Sequence, residues 1–249
     1  MSVMHLVNPY QFAPSTSYRD TVLNDAPLLY WSLDETSGSS PNLGSGGTAD
    51  MASVSGVTQN QPALAYGKSW DFSGSSSTAA TTSTVGNLAA THFTFECWIS
   101  AADAAQDATI MDHTYNPGSA TGVMLGVGTY LGSSKQIVLT VRNSSSARRA
   151  WATTADIIDG GTHHIVASYS AGTPKIYVDG VDEPLTLVYS SGTAPVGLFT
   201  VTNYFYLGSQ RNLAQYFDGT IDEPAVWYGS TSASALSLAQ AQAHYAAGL

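Results

Sequence analysis

Charged residues are scarce in this chain of 249 residues: Asp, Glu, Lys and Arg together make up 10% of it, against about 25% in an average soluble domain. The 18 acidic residues outnumber the 8 basic ones, and the formal net charge is −10. A basic face that binds nucleic acid or an anionic membrane surface is therefore not expected. Solubility must come from Ser, Thr, Gly, Asn and Gln, a composition common in extracellular and particle-surface β proteins.

Disulfides, long apolar runs and a secretion signal are also missing. Cys97 is the sole cysteine, which excludes an intrachain disulfide, and within Phe93–Ile99 it is interpreted as a small buried apolar residue. No stretch approaches the roughly 20 apolar residues of a membrane helix, so membrane insertion is not expected. Met1–Phe12 lacks the basic region and apolar run of a signal peptide. We therefore expect synthesis in a host cytoplasm without such a signal.

Helical periodicity is almost absent before residue 233, apart from one predicted helical turn at Tyr18–Leu23, whereas strand signals recur along the chain. Short runs rich in β-branched and aromatic residues alternate with Gly, Ser and Asn turns, and no crossover helix separates them. In His163–Val181, two alternating runs are joined by a Gly-Thr-Pro turn, and Asp179-Gly180 then signals a type I′ hairpin. The sequence predicts an all-β, antiparallel two-sheet sandwich.

Several of these segments resemble laminin-G-like, concanavalin A-type jelly-roll domains. The His163–Val181 hairpin is similar to the central signature of that family. Leu28–Gly38 is similar to the first strand and turn of such domains in tailed-phage structural proteins and bacterial surface proteins, and Phe217–Tyr228 is similar to their last strand. The resemblance implies a concanavalin A-like jelly roll over residues 18–249.

The end of the chain resembles the closing helix of the same family. Ala233–Ala247 has helical apolar spacing, Ser232 or Ser234 is the predicted cap, and Gly248 is the predicted stop. The expected architecture is thus a jelly-roll sandwich with a short C-terminal helix and an extended N-terminal arm.

Residues 1–17 differ from the rest of the chain, because they carry no Asp, Glu, Lys or Arg and match neither helix nor strand spacing. Such a segment is either disordered or packed onto a partner. Its apolar content favours an anchoring arm, with residues 18–249 as the jelly-roll domain. The predicted docking residues are Val3, Met4, Leu6, Val7, Tyr10 and Phe12.

The patterns that hydrolases require are not found. Glucan hydrolases of this fold place two glutamates on one strand in a Glu-x-Asp-x-x-Glu pattern, whereas Glu96, Glu183 and Glu223 are far apart in sequence. No Gly-x-Ser-x-Gly elbow marks a serine nucleophile. We predict that the protein is not an enzyme.

Acidic residues in two strand-and-turn segments are candidate calcium ligands, because calcium prefers carboxylate and carbonyl oxygens. The resemblance implies a structural calcium near such a group, and the predicted ligands are Asp34, Glu35, Asp222 and Glu223. The alternative is that Asp34 and Asp222 bond to backbone N–H groups at turns.

Two clusters with possible ligand chemistry are given structural interpretations. His163 and His164 are adjacent, so they point to opposite faces of a strand and cannot chelate one ion together. The resemblance implies a hydrogen-bonded structural histidine here, because the family packs a Trp-His pair in the core at this position. Arg142, Arg148 and Arg149 flank a Ser-rich loop, and we expect them to be solvated there rather than to form a phosphate site.

Exposed aromatic rings stack on the apolar faces of sugars and so are candidate glycan contacts. Tyr115 and Tyr130 lie in loops rich in Gly, Asn and Ser, and we predict a glycan platform there. The alternative is that these rings, like Tyr204, Tyr206 and the other aromatics, form core or cross-strand pairs.

These observations favour a non-enzymatic virion structural protein, namely a capsid decoration, fibre-like or tail-surface protein. It would dock on other virion proteins through its arm, as a homo-oligomer or in many copies on the virion surface, and could bind host-surface glycans. The alternative is a carbohydrate-binding or adhesion module of a bacterial surface, and a glucan hydrolase is the least favoured.

Overall fold

A computed structural model describes residues 17–86, 90–102, 107–115, 121–128, 135–143, 147–198 and 202–249. The predicted docking residues of the arm lie outside these ranges, namely Val3, Met4, Leu6, Val7, Tyr10 and Phe12. Among the described residues, no helix has the length and apolar character needed to cross a membrane.

Eighteen strands and two α-helices form the described part of the chain. They are α1 (Tyr18–Asn24), β1 (Leu29–Tyr30), β2 (Met51–Ser55), β3 (Thr58–Pro62), β4 (Lys68–Ser73), β5 (Thr78–Thr81), β6 (Val85–Gly86), β7 (His92–Ser100), β8 (Ala108–Tyr115), β9 (Thr121–Val127), β10 (Ile137–Arg142), β11 (Arg148–Thr153), β12 (Thr162–Ser170), β13 (Thr173–Val178), β14 (Val181–Asp182), β15 (Leu185–Ser191), β16 (Thr202–Asn203), β17 (Tyr206–Leu207), β18 (Asp218–Gly229) and α2 (Leu238–Ala247).

The strands form two large sheets and one small pair. Sheet I has the order β14-β13-β12-β7-β18-β4-β3, with β1 also paired to β18, and sheet II has the order β15-β11-β10-β9-β8-β17-β5-β2. Strands β16 and β6 form a separate two-stranded ribbon. The pairings of the central strands are antiparallel, which confirms the predicted all-β, two-sheet jelly-roll sandwich.

The core lies between the two sheets and follows the period-2 alternation of the strands. In β7, Phe93, Phe95, Cys97 and Ile99 point into the main core. Cys97 is a free, fully buried thiol, as the sequence predicted. The intervening side chains of β7 point to the other face of sheet I, which is buried as well.

A second apolar layer covers the outer face of sheet I. Tyr18 and Val22 of α1 pack there against Trp98 of β7 and Trp227 of β18, and Ala241 of α2 joins the same cluster. The face of β7 that points away from the main core is therefore buried as well, because the two helices cover it.

The boundaries of two predicted elements needed correction. The C-terminal helix begins after Ser237, whose side chain bonds to Gln240 in a reciprocal capping box, and not after Ser232 or Ser234. Residues 232–234 instead form a short 3-10 turn. At the other end of the domain, β1 comprises only Leu29–Tyr30, and the chain turns at Leu33, which has a φ of 55°.

The predicted type I′ hairpin is confirmed, since Asp179 and Gly180 have φ values of 51° and 74°. The turn before it is formed by Ala171 and Gly172, and not by the predicted Gly-Thr-Pro. Pro174 lies inside β13, where β14 does not reach, so its missing N–H faces a free sheet edge.

Candidate functional site

The outer face of sheet II carries the candidate site, because within the described residues no helix covers it. Cross-strand pairing there aligns Asp112 on β8 with Met124 on β9 and Thr140 on β10. A second, adjacent row aligns Thr114 on β8 with Gly122 on β9 and then with the arginines at the β10–β11 edge. The two rows form the floor of a cleft of about 270 Å³, below called the sheet II cleft.

Cross-strand pairing also places two guanidinium groups on this floor. Arg142 of β10 lies directly opposite Arg148 of β11, and Gly122 is the partner of Arg142 on the other side. Gly122 has a φ of 131°, and a Cβ there would lie 2.1 Å from the carbonyl oxygen of His113. A glycine is therefore required at this position, and its missing side chain leaves space beside Arg142.

The wall of the cleft is the loop of residues 208–216. Gln210, Arg211, Asn212 and Gln215 of this loop line the cleft. Two backbone bonds fix the loop, one from the amide of Gln210 to the oxygen of Ala214 (2.9 Å) and one from the amide of Thr109 to the oxygen of Gln215 (2.7 Å). The backbone of this loop is thus fixed before any ligand binds.

Several buried polar atoms in the cleft lack a hydrogen-bond partner among the described residues. They are Oδ1 of Asp112, Oγ1 of Thr140, Nε of Arg211 and Oε1 of Gln215. Asp112 is fully buried and Thr140 is 5% exposed. Buried polar atoms in folded proteins are nearly always bonded to protein, water or ligand. Four such atoms in one cleft are therefore suited to a ligand rich in hydroxyl groups.

The electrostatics of the cleft follow from burial. Burial raises the pKa of Asp112 to about 6, although the amide N–H of Arg211 and the hydroxyl of Thr114 donate hydrogen bonds to its Oδ2. Burial also lowers the pKa of Arg142 and Arg148, which stay charged. The pairing of β10 and β11 turns both half-buried arginines toward the cleft. Only Arg149 points elsewhere, and donates to the oxygens of Ser191 and Gly192.

Aromatic side chains flank the floor at both ends. Tyr206 on β17 pairs with Asp112, and Tyr189 on β15 pairs with Ala150 of β11. The guanidinium of Arg148 lies 4.9 Å from the ring centre of Tyr189, which is 37% exposed. Of the predicted glycan contacts, Tyr115 is the last residue of β8, and Tyr130 lies outside the described residues.

The predicted calcium ligands lie on sheet I and make protein contacts. Asp34 accepts hydrogen bonds from Nη2 of Arg19 (2.5 Å) and the amide of Lys68 (2.7 Å). Asp222 accepts from the amides of Leu64 and Ala65, at 2.9 and 3.1 Å. Asp34 and Asp222 thus both accept hydrogen bonds from backbone N–H groups, as the alternative interpretation expects.

The other two candidate ligands differ in exposure. Glu35 is half-buried, whereas Glu223 is fully buried and accepts a hydrogen bond from the hydroxyl of Tyr30. Among the described residues, no group of three or more His, Cys, Asp or Glu side chains could hold a metal ion. A calcium ion bound by Asp34, Glu35, Asp222 and Glu223 stays a prediction.

The adjacent histidines are hydrogen-bonded and point to opposite faces, as predicted. His163 contacts Asp179 (2.8 Å) and Asp159 (3.1 Å), and the Asp179 contact first of all raises its pKa to about 8. His164 points beneath the helices, where its Nε2 lies 3.0 Å from Oε1 of Glu96. Both rings act as structural contacts at the start of β12.

Sequence reasoning missed a buried charge network that fixes the helices to sheet I. Glu96 accepts a hydrogen bond from Tyr18 of α1 (2.7 Å) and contacts His244 of α2 (2.8 Å) and His164. The second ring nitrogen of His244 lies 3.0 Å from Asp25. The charge on His244 lowers the pKa of Glu96 despite full burial, and Glu96 in turn raises the pKa of His244.

Comparison with known proteins gives the family and the fold. A family model described as concanavalin A-like lectin/glucanases superfamily matches residues 73–237. Domain 4 of a GH43 extracellular arabinanase from Geobacillus stearothermophilus, solved with arabinotriose, has a TM-score of 0.64 at 19% identity, covering 88% of this chain and 98% of that one. No curated protein matches the sequence.

Botulinum neurotoxins supply further similar structures. The binding domain of botulinum neurotoxin DC in complex with SialylT has a TM-score of 0.64 at 14% identity, over 90% of this chain. A structure of botulinum neurotoxin type C, whose cell entry depends on two ganglioside molecules, has the same TM-score at 15% identity. The chain spans about half of these toxin domains, 52% of each.

Proposed function

Since the chain belongs to the concanavalin A-like lectin/glucanases superfamily, we propose that it is a non-enzymatic, carbohydrate-binding protein whose glycan site is the sheet II cleft. The observation that carries this proposal is the set of buried polar atoms there without partners, above all Oδ1 of Asp112 and Oγ1 of Thr140. Sugar hydroxyls donate and accept hydrogen bonds, so they match such a mixed set of donors and acceptors.

The flanking rings support the same ligand class. Tyr189 and Tyr206 stand at opposite ends of the row that contains Asp112 and Thr140. Tyrosine rings stack on the apolar face of a sugar ring while hydroxyl groups bond to the floor. The arabinanase domain with bound arabinotriose adds support, since the present chain covers almost all of it.

The cleft chemistry argues against hydrolysis as its task. Glycoside hydrolysis by the usual route needs two carboxyl groups across the scissile bond. Among the described lining residues, Asp112 is the single carboxyl group. The buried glutamates Glu96 and Glu223 lie on sheet I beneath the helices.

Substituting Thr140 by Val tests the site. The hydroxyl has no partner among the described residues, so its loss should leave the melting temperature unchanged or higher. Loss of one hydrogen bond to a sugar should weaken glycan affinity by roughly fivefold to tenfold. Binding is measured by calorimetry on the full chain, with a ligand first identified on a glycan array.

Thr186→Val is the matched control, because Thr186 is exposed on β15 of the same sheet, outside the cleft. It should bind glycans as tightly as the unmodified protein. The proposal is wrong if the chain binds no glycan, or if Thr140→Val and Thr186→Val bind equally well.

The setting that we propose is a virion surface, where the protein would be a capsid decoration, fibre-like or tail-surface component. Support comes from the uncharged apolar segment 1–17 and from the similarity of Leu28–Gly38 to phage structural proteins. In this setting residues 1–17 dock on other virion proteins, and the cleft faces host glycans.

Deletion of residues 1–17 tests the docking. The truncated protein should fold, because α1 and the described core begin at Tyr18 and only the Ser17 cap of α1 is lost. It should fail to copurify with particles. Co-sedimentation with purified virions measures the attachment, and circular dichroism checks the fold. Full attachment of the truncated protein would contradict the anchoring role.

A further inference from the structure

The sheet II cleft concentrates positive charge in a strongly acidic protein. The formal net charge is −10, with only 8 basic residues in the chain. Three of those eight, Arg142, Arg148 and Arg211, line this one cleft, and Asp112 is the single carboxyl group among its described lining residues. The local charge is therefore opposite in sign to that of the whole molecule.

These guanidinium groups are partly withdrawn from water. Burial is the main reason that the pKa of Arg142 and Arg148 is lowered. Among the described residues, neither Arg142 nor Arg211 forms an ion pair with an acidic side chain. A partly desolvated guanidinium gains most from a carboxylate that meets its fork with two parallel hydrogen bonds.

We propose that the sugar bound in the sheet II cleft carries a carboxylate, and that Arg142, Arg148 and Arg211 recognise this group. The inference rests on the proposed glycan binding and adds the chemical class of the ligand. Unpartnered atoms of Asp112, Thr140 and Gln215 remain for the hydroxyl groups of the same sugar.

A carboxylate fits better than a phosphate ester for two reasons. Its planar pair of oxygens matches the guanidinium fork, and it carries one negative charge where a phosphate monoester carries up to two. Asp112 is buried in the same cleft, and its carboxyl group disfavours a second negative charge nearby.

Matched ligands test this directly. Lactose, 3′-sialyllactose and 3′-sulfolactose share one neutral core and differ in the acidic group, and trigalacturonate with its methyl ester provides a uronic acid pair. Calorimetry on the full chain should show that 3′-sialyllactose or trigalacturonate binds at least about tenfold more tightly than its neutral counterpart. Which of the two carboxylated sugars binds distinguishes sialic from uronic acids.

Variants identify the responsible side chains. Arg142→Gln and Arg211→Gln should each weaken carboxylate binding by about ten- to a hundredfold, and should weaken neutral-sugar binding by a clearly smaller factor. Arg148→Lys keeps the charge but loses the fork, and should lose part of the affinity. Lys68→Gln removes one positive charge from an exposed site on sheet I and should bind as the unmodified protein does.

Each other outcome overturns the inference. If neutral and carboxylated sugars bind equally well and the arginine variants change neither affinity, the protein still binds glycans but does not recognise a carboxylate. Tighter binding of 3′-sulfolactose than of 3′-sialyllactose and trigalacturonate would assign the arginines to a sulfate. If the protein binds none of these sugars and no glycan on an array, the proposed glycan-binding function is wrong as well. Thermal melts of each variant show that a lost affinity is not a lost fold.

Discussion

Glu96→Gln is expected to destabilise the fold by about 3–5 kcal/mol at pH 6. Glu96 is fully buried and is bonded to Tyr18, His164 and His244. His244 lies between two carboxylates, Glu96 and Asp25, and so donates from both ring nitrogens as an imidazolium. A glutamine amide removes the negative charge and turns an N–H toward that cation, which leaves a buried charge without its partner.

The size of this effect depends on pH. The lowered pKa of Glu96 stabilises the fold above the unfolded value of about 4.3, and this stabilisation is lost as the pH falls through the folded value. The raised pKa of His244 stabilises it below about 6.5, and this contribution is lost as the pH rises through the folded value. The deficit of Glu96→Gln should therefore be largest between about pH 4.5 and 6.5 and shrink in alkaline solution.

Glu223→Gln is the matched control, since Glu223 is also a buried glutamate on sheet I, on the strand next to β7. Burial and then Asp222 raise its pKa well above the ordinary value, so its charged form is disfavoured in the fold, and an uncharged glutamine of the same shape avoids that cost. The unfolding free energy of Glu223→Gln should lie within about 1 kcal/mol of that of the unmodified protein at pH 7. As the pH rises, Glu223→Gln should become more stable than the unmodified protein. Urea unfolding from pH 5 to 9 measures both variants, and equal stabilities would refute the network.

Gly208→Ala is expected to lower stability by about 3 kcal/mol more than Gly47→Ala. Both glycines have a positive φ, 73° and 77°, so alanine meets similar backbone strain at each. At Gly208 a Cβ would also lie 2.0 Å from Cδ1 of Phe72, a fully buried core ring. At Gly47 nothing lies within 4 Å.

The same substitution should weaken glycan binding, because Gly208 begins the loop that walls the sheet II cleft. Its amide donates to the oxygen of Ile110 on β8, and its oxygen accepts from Phe217 at the far end of the loop. Urea unfolding and calorimetry on the two alanine variants check both effects. If Gly208→Ala were as stable as Gly47→Ala, the packing of the loop against Phe72 would be wrong.

Local pattern was enough to predict the sandwich. Period-2 alternation identified β7, β10, β12 and the other long strands, and Asp179-Gly180 identified its hairpin, because side-chain direction and backbone φ depend on neighbouring residues. Local patterns did not predict the structure where contacts between distant segments determine burial. The Ser/Thr-rich composition of residues 73–84 is compatible with an exposed strand or a loop, yet Thr78–Thr81 is a buried strand of sheet II.

Only part of the candidate site could be predicted from local sequence patterns. Arg142 and Arg148 were recognised as a cluster, and an antiparallel hairpin between β10 and β11 would have placed them side by side on one face. Arg211 gave no signal, because its loop reaches the cleft only through the position of β17 in sheet II. Tyr189 was likewise missed, since its neighbour strand β11 comes more than thirty residues earlier in the chain.

Sequence alone determined the class of this protein: antiparallel strands, a closing helix, few charges and no hydrolase pattern, all of which are local or compositional properties. Only the tertiary structure decided which charges meet. Glu96 is isolated in sequence, yet α1 and α2 bring Tyr18 and His244 onto it from both ends of the domain. The energy of a buried charge depends on the groups within a few ångströms of it, and that neighbourhood is formed by folding.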